Sequence, residues 1–205
     1  IVIENYTLKQ NVDFTASYFY NKKAGSAKVI IKGKGNFAGK VQTSFKILRK
    51  SIARAKVIGL KNRAFNKSVI IPKINVKLKS RLLKEGRDYT LSVSGNQQIG
   101  NATVRITGSG NYTGKIVKYF KVVPPKVRGV KALKNGVISW TAVQSAEGYE
   151  IKYSKFKNMK KAKTIIAKEN SVVLAKPKGK YIKIIPFKNI KGIAFKGKSV
   201  KIKIQ

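Results

Sequence analysis

The chain has 205 residues, 42% of them apolar, enough to build cores for two or three small domains. It carries no cysteine and no histidine, which excludes disulfides, thiol nucleophiles and the usual zinc ligands together. Against 46 lysines and arginines stand 7 acids, and the resulting net charge of +39 makes polyanions the expected encounter partners.

The charge does not choose among nucleic acid, teichoic acid, anionic polysaccharide and acidic lipid headgroups. It is spread from Lys22 and Lys23 to Lys201 and Lys203, where a nucleic-acid-binding arm would gather it at one end. Lysine predominates, and it reads phosphate or base edges less well than arginine. Lysine also guards solvent faces and sheet edges against aggregation, the plain structural account of the excess. No run of 18 apolar residues occurs, so no membrane-spanning helix is expected. No signal peptide or sorting motif is visible, and Ile1-Val2-Ile3 reads as strand, so the chain is expected to be an internal fragment of something longer.

Apolar alternation with period two dominates from the first residues onward and predicts an all-β chain. Phe14, Ala16 and Tyr18 alternate toward a core, as do Ala27, Val29 and Ile31. The turn Gly33-Lys34-Gly35-Asn36-Phe37-Ala38-Gly39 follows, and it has a twin at Gly108-Ser109-Gly110-Asn111-Tyr112-Thr113-Gly114, 75 residues on. The offset holds without a gap from Leu8 and Leu83 through Asp13 and Asp88 to Phe45 and Phe120, which makes it an internal repeat. Residues 1–50 hold only the later strands of the unit, and residues 51–123 hold a full one.

In the full unit, strands are expected near Ala55-Lys56-Val57, Val69-Ile70-Ile71-Pro72, Ile74 to Leu78, Tyr89 to Val93 and Ala102 to Ile106, with a closing strand to Val123. Short strands at 8 to 12 residue spacing are the pattern of a small sandwich or barrel. Tyr89, Leu91 and Val93 should face the core. Gly108 and Gly110 mark a connection needing positive φ or close backbone approach, Asn111 tolerates the left-handed region, and Tyr112 plugs the end of the core. A phosphate-cradling role for this turn is poorly supported, since no helix follows it. Glu85 and Asp88 suggest acid/base work or calcium, but only Asp88 recurs, as Asp13, so a turn-capping role is preferred.

The string Leu83-Lys84-Glu85-Gly86-Arg87-Asp88-Tyr89-Thr90, then Gly100 to Val104, then Gly108 to Gly114, resembles the repeats of bacterial Ig-like modules in large Gram-positive cell-surface proteins. The resemblance covers Ser51–Val123 and, in part, Ile1–Leu48. It implies extracellular all-β spacers without catalytic residues, cofactors or metals of their own.

Pro124-Pro125 fixes an extended connection and ends the unit. Beyond it, Val137-Ile138-Ser139-Trp140 and Gly148-Tyr149-Glu150-Ile151-Lys152-Tyr153 resemble a fibronectin type III module over residues 124–205, with Trp140 expected in the core. Lys155 to Lys163 reads as loop. In the late strand Lys180 to Phe187, alternation buries Ile182 and Ile184 and turns Tyr181, Ile185 and Phe187 outward. Lys180 stands where the family's corner tyrosine would be, which puts that feature in doubt. No Arg-Gly-Asp occurs, so integrin binding has no support.

Positions where the two copies differ are candidate contacts. Phe19 and Ile30 point outward where the second copy has Ser94 and Arg105, and with Tyr20 they form one apolar patch. They either contact another module or ligand, cover a seam left by strands outside this chain, or pack against the second copy. Tyr181, Ile185 and Phe187 complete the candidate interface.

The reading that follows is a non-catalytic segment of a bacterial cell-surface or secreted protein, made of tandem small β-sandwich modules. Its lysine faces attract teichoic acid, host glycans or other surface modules. The alternative is a carbohydrate- or polyanion-binding accessory module of a larger surface enzyme. Nucleic-acid binding ranks lower because few aromatics are placed to stack bases.

Overall fold

The computed structural model describes residues 1–177 and 179–205. Regular structure is almost wholly strand, and among the described residues the one helical element is a 3-10 turn at Lys134–Gly136. The all-β class predicted by the alternation is therefore what the chain adopts. Packing divides it into two compact units. The first comprises Ile1–Lys56, Asn75–Leu91 and Ile106–Ile116, and the second Val57–Ile74, Ser92–Arg105 and Val117–Gln205.

In the first unit, strands Phe14–Phe19, Gly25–Gly33 and Lys40–Ile47 form an antiparallel sheet in that order. The register pairs Ala16 with Ile31, Tyr18 with Val29 and Ala27 with Phe45, so the alternating apolar residues share one face. The hairpin Val2–Ile3 with Tyr6–Thr7 pairs Ile3 with Tyr6. Its repeat counterpart, Asn75–Leu78 with Arg81–Leu83, pairs Leu78 with Arg81, the same register 75 residues on.

Both glycine turns close with the same bond. The Gly33 N–H donates to the Gly39 carbonyl at 3.0 Å and the Gly108 N–H to the Gly114 carbonyl at 2.9 Å. A Cβ on Gly108 would stand 2.7 Å from the Thr113 nitrogen, so close approach excludes a side chain there, while Gly110 sits at φ +60. Tyr112 is buried as expected. Asn111, expected to use the left-handed region, has no positive φ; its side chain has a different task, described below.

Tyr18 departs from expectation. Its alternation points it to the core face, yet it is 53% exposed, while Phe14 on the same face is buried. Alternation sets which face a side chain takes. Burial requires something to lie over that face.

In the second unit, strands Lys131–Ala132, Val137–Ser139 and Ser171–Val173 make one sheet. Strands Lys163–Ala167, Gly148–Ser154, Tyr181–Ile190 and Ile193–Lys196 make another, with Val200–Lys203 also pairing Tyr181–Ile190. Both contribute to one core of Val127, Ile138, Trp140, Tyr149, Ile151, Leu174, Ile182, Ile184 and Ile204, the arrangement of a β-sandwich. Trp140 is buried edge-on to Tyr149, their ring centroids 5.0 Å apart. The Tyr149 hydroxyl in turn accepts the Val143 N–H at 2.8 Å. A smaller cluster joins Ile99, Val123 and Phe195, with Phe65 and Ile190 against it. The stretch from Lys155 to the strand at Lys163 is loop, as read from sequence.

Two expectations fail here. Val69-Ile70-Ile71-Pro72 joins no strand ladder. Pro72 has no N–H to donate, and Ile70 instead exchanges bonds with Asn96, its N–H to the Asn96 carbonyl at 3.2 Å and its carbonyl from Asn96 Nδ2 at 3.0 Å. Ile185, expected to face outward into solvent, is buried. It pairs with the buried Glu150 across the ladder, and Lys152 and Lys196 reach that carboxylate from the same face of the sheet.

Candidate binding surfaces

The hairpin joining Phe14–Phe19 to Gly25–Gly33 surrounds a cavity of about 580 Å³ lined by Tyr18 to Ser26, including Asn21, Lys22 and Lys23. Phe19 is 43% and Tyr20 78% exposed; Ile30 is half-buried. The register sets Phe19 opposite Lys28 and Ile30 opposite Ser17, so Phe19 and Ile30 are diagonal neighbours on one face. Of the three candidates, Phe19 and Tyr20 line the cavity and Ile30 does not. Tyr181 and Phe187 are half-buried and lie on a different sheet, together with the buried Ile185. Three of the six candidate residues thus belong to the hairpin of the first unit and three to strand Tyr181–Ile190 of the second.

Tyr20 holds φ 57, an outlying conformation for a bulky residue. The second copy has Gly95 at this position, with φ +68 and the Asn101 carbonyl oxygen 2.7 Å from where a Cβ would be. The first copy keeps the left-handed backbone without the glycine. Such strain costs on the order of 1–3 kcal/mol and is held by the surrounding hairpin.

The Gly108 to Gly114 turn binds part of its own chain. Asn111 Oδ1 accepts the Ala24 N–H at 2.7 Å, and the Asn111 carbonyl accepts the Lys50 N–H at 2.9 Å. One residue therefore holds both the first copy's hairpin and the connection between copies. No protein-family model and no curated protein matches this chain.

The acids are mostly occupied. Asp13 and Asp88 each accept a backbone N–H four residues back, from Lys9 at 2.8 Å and Lys84 at 3.0 Å, the turn-capping role read from the repeat. Asp88 also takes the Arg87 guanidinium through Nε at 2.9 Å and Nη2 at 2.8 Å. Those bonds hold its carboxyl at a pKa of about 2, against the opposing effect of burial. Glu150 is lowered, chiefly by hydrogen bonding to Lys196, and Lys152 adds to the effect. Glu147 is lowered by the Asn189 backbone and side-chain N–H groups. Among the described residues no three of Asp and Glu gather to hold a metal.

The counterpart of this economy is a large excess of free cations. Among the described residues, only Arg87, Lys152 and Lys196 make salt bridges. Sequence reasoning missed the Asn111 clamp and the Asn96 bonds to Ile70. The recurrence of Asn96 as Asn21 in the gapless repeat was the available signal for the second; nothing local signalled the first.

Proposed function

We infer that this is a non-catalytic segment of a bacterial cell-surface or secreted protein, built as spacer and adhesion modules whose lysine faces hold anionic wall polymers or host glycans. The observation that carries the reading is the pairing pattern. With 46 cations against 7 acids, and four of those acids committed to turn N–H groups, to Asn189 or to a lysine pair, the positive charge is left facing solvent. Summed over the surface, such a field draws polyanions without selecting a sequence. The strand order of the second unit, with Trp140 and Tyr149 in its core, supports the fibronectin type III resemblance. The matching hairpin registers support the Ig-like repeat. No helix among the described residues is long and apolar enough to cross a membrane.

A salt titration tests the reading. Retention on teichoic acid or heparin should fall steeply as salt rises, since each neutralised anion releases a counterion. Retention independent of salt, or none at low salt, overturns it.

A further inference from the structure

The repeat lets the first copy be compared with the second residue by residue. In the second copy, residues 50–72 are tied to later elements at three places. Lys50–Ser51 runs parallel to Tyr112–Thr113. Arg63–Ala64 runs parallel to Val122–Val123, with Asn62 Oδ1 accepting the Lys121 N–H at 2.9 Å. Ile70 exchanges its two backbone bonds with Asn96. The side chains this segment delivers are deeply buried, Ile52, Ile70 and Pro72 among them.

Subtracting 75 gives the equivalent receivers in the first copy: Phe37–Ala38, Lys46–Leu48 and Asn21. Each keeps its chemistry, and among the described residues none has the pairing seen in the second copy. Phe37 and Ala38 belong to no strand. The sheet ends at Lys40–Ile47, where the second copy adds Arg63–Ala64. Asn21 is exposed and lines the cavity, whereas Asn96 is buried. The apolar face shows the same contrast. Val41 and Phe45 are 62% and 42% exposed, and their counterparts Ile116 and Phe120 are 7% and 3%.

We propose that the apolar face of Tyr18, Val41 and Phe45, the free edge of Lys40–Ile47 and the cavity at Asn21 form one seat for an extended polypeptide segment with the chemistry of residues 51–75. Its apolar side chains at the Ile52 and Ile70 positions cover the face. Its backbone meets Asn21 as Ile70 meets Asn96. The occupant is polypeptide because the waiting groups are a strand edge and an amide side chain that, in the second copy, take up backbone N–H and C=O. A second copy of the chain does not fit the role, since its own residues 51–75 are engaged in its own repeat. The inference does not rest on the polyanion reading.

The test uses a peptide of residues 51–75 added to the full chain. A second form of the chain carries that segment duplicated directly ahead of Ile1, which preserves the period and raises the effective concentration. Amide exchange is the readout. The expected result is slowing by about tenfold or more in strands Phe14–Phe19, Gly25–Gly33 and Lys40–Ile47, in both formats or in the fused one alone. Asn21→Ala should weaken the peptide about fivefold, and Tyr18→Lys with Phe45→Lys should abolish the protection. A fused segment that exchanges freely and leaves residues 14–48 unchanged overturns the proposal. So does a dimer of the unmodified chain that Phe45→Lys dissolves, which gives the face to a second copy, or protection of the same amides by a heparin oligosaccharide.

Discussion

Replacing Asp88 by Asn should destabilise the chain in a way its repeat partner Asp13 does not reproduce. The Asp88 carboxylate accepts the Lys84 N–H and two Arg87 nitrogens, and its pKa falls from 3.8 to about 2. At about 1.4 kcal/mol per unit the shift corresponds to about 2.5 kcal/mol, an upper figure. The Arg87 side chain is 56% exposed, so solvent screening reduces the expected loss to about 1–2 kcal/mol. Asp13 accepts the Lys9 N–H alike, but its preceding residue is Val12, which offers no ion pair. Asp13→Asn should therefore cost about 1 kcal/mol or less and be indifferent to salt. Urea unfolding at neutral pH, in low and high salt, separates the two. Because the folded pKa lies below the unfolded one, Asp88 stabilises above about pH 4, and the contribution is lost as pH falls toward 2. Wild type and Asp88→Asn should converge there. Equal losses for both variants at both salts, or an Asp88→Asn penalty that persists at about pH 2, would refute the reasoning.

Gly108→Ala should cost about 1–3 kcal/mol, because the new Cβ meets the Thr113 backbone at 2.7 Å, and thermal unfolding will show it. Asn111→Ala removes the acceptor of the Ala24 N–H and should speed exchange of that amide, at a cost of about 1 kcal/mol. The Lys50 amide, held by the backbone of the same residue, should be unaffected. Trp140 Nε1 is buried and has no hydrogen-bond partner among the described residues, so Trp140→Phe removes a buried donor while losing some packing. The net change should stay within about 1 kcal/mol by urea denaturation followed by circular dichroism, well short of the cost of a large truncation.

What was legible in the sequence was local and periodic. The 75-residue offset predicted equivalence, and the two hairpins at Ile3 and Leu78 repeat their register. The strand expected from Ala102 to Ile106 forms, and its alternate residues Ala102, Val104 and Ile106 are fully buried. Alternation failed for Tyr18 because burial needs a second layer, and periodicity within a strand carries no information about that layer. It failed for Ile185 because its cross-strand partner is the buried Glu150 with its lysine pair, a matter of pairing between distant strands. Asn111 was read as a backbone device because turn asparagines commonly are. Its side chain instead reaches Ala24, 87 residues away in sequence, and no local pattern encodes that.

The two short parallel pairings have a consequence under load. Lys50–Ser51 beside Tyr112–Thr113, and Arg63–Ala64 beside Val122–Val123, each join an early strand to a late one running the same way. A chain pulled from its ends drags the early partner toward the N-terminus and the late one toward the C-terminus. The slanted bonds across each pair lie athwart that pull and are strained together in shear, whereas an antiparallel hairpin opened from its ends would lose them singly. Small as they are, these bridges sit where tension enters and leaves residues 51–123. A pulling experiment should find that breaking the second of them, with Phe65→Pro, which removes the N–H that the Val123 carbonyl accepts at 2.8 Å, lowers the force at which that stretch extends.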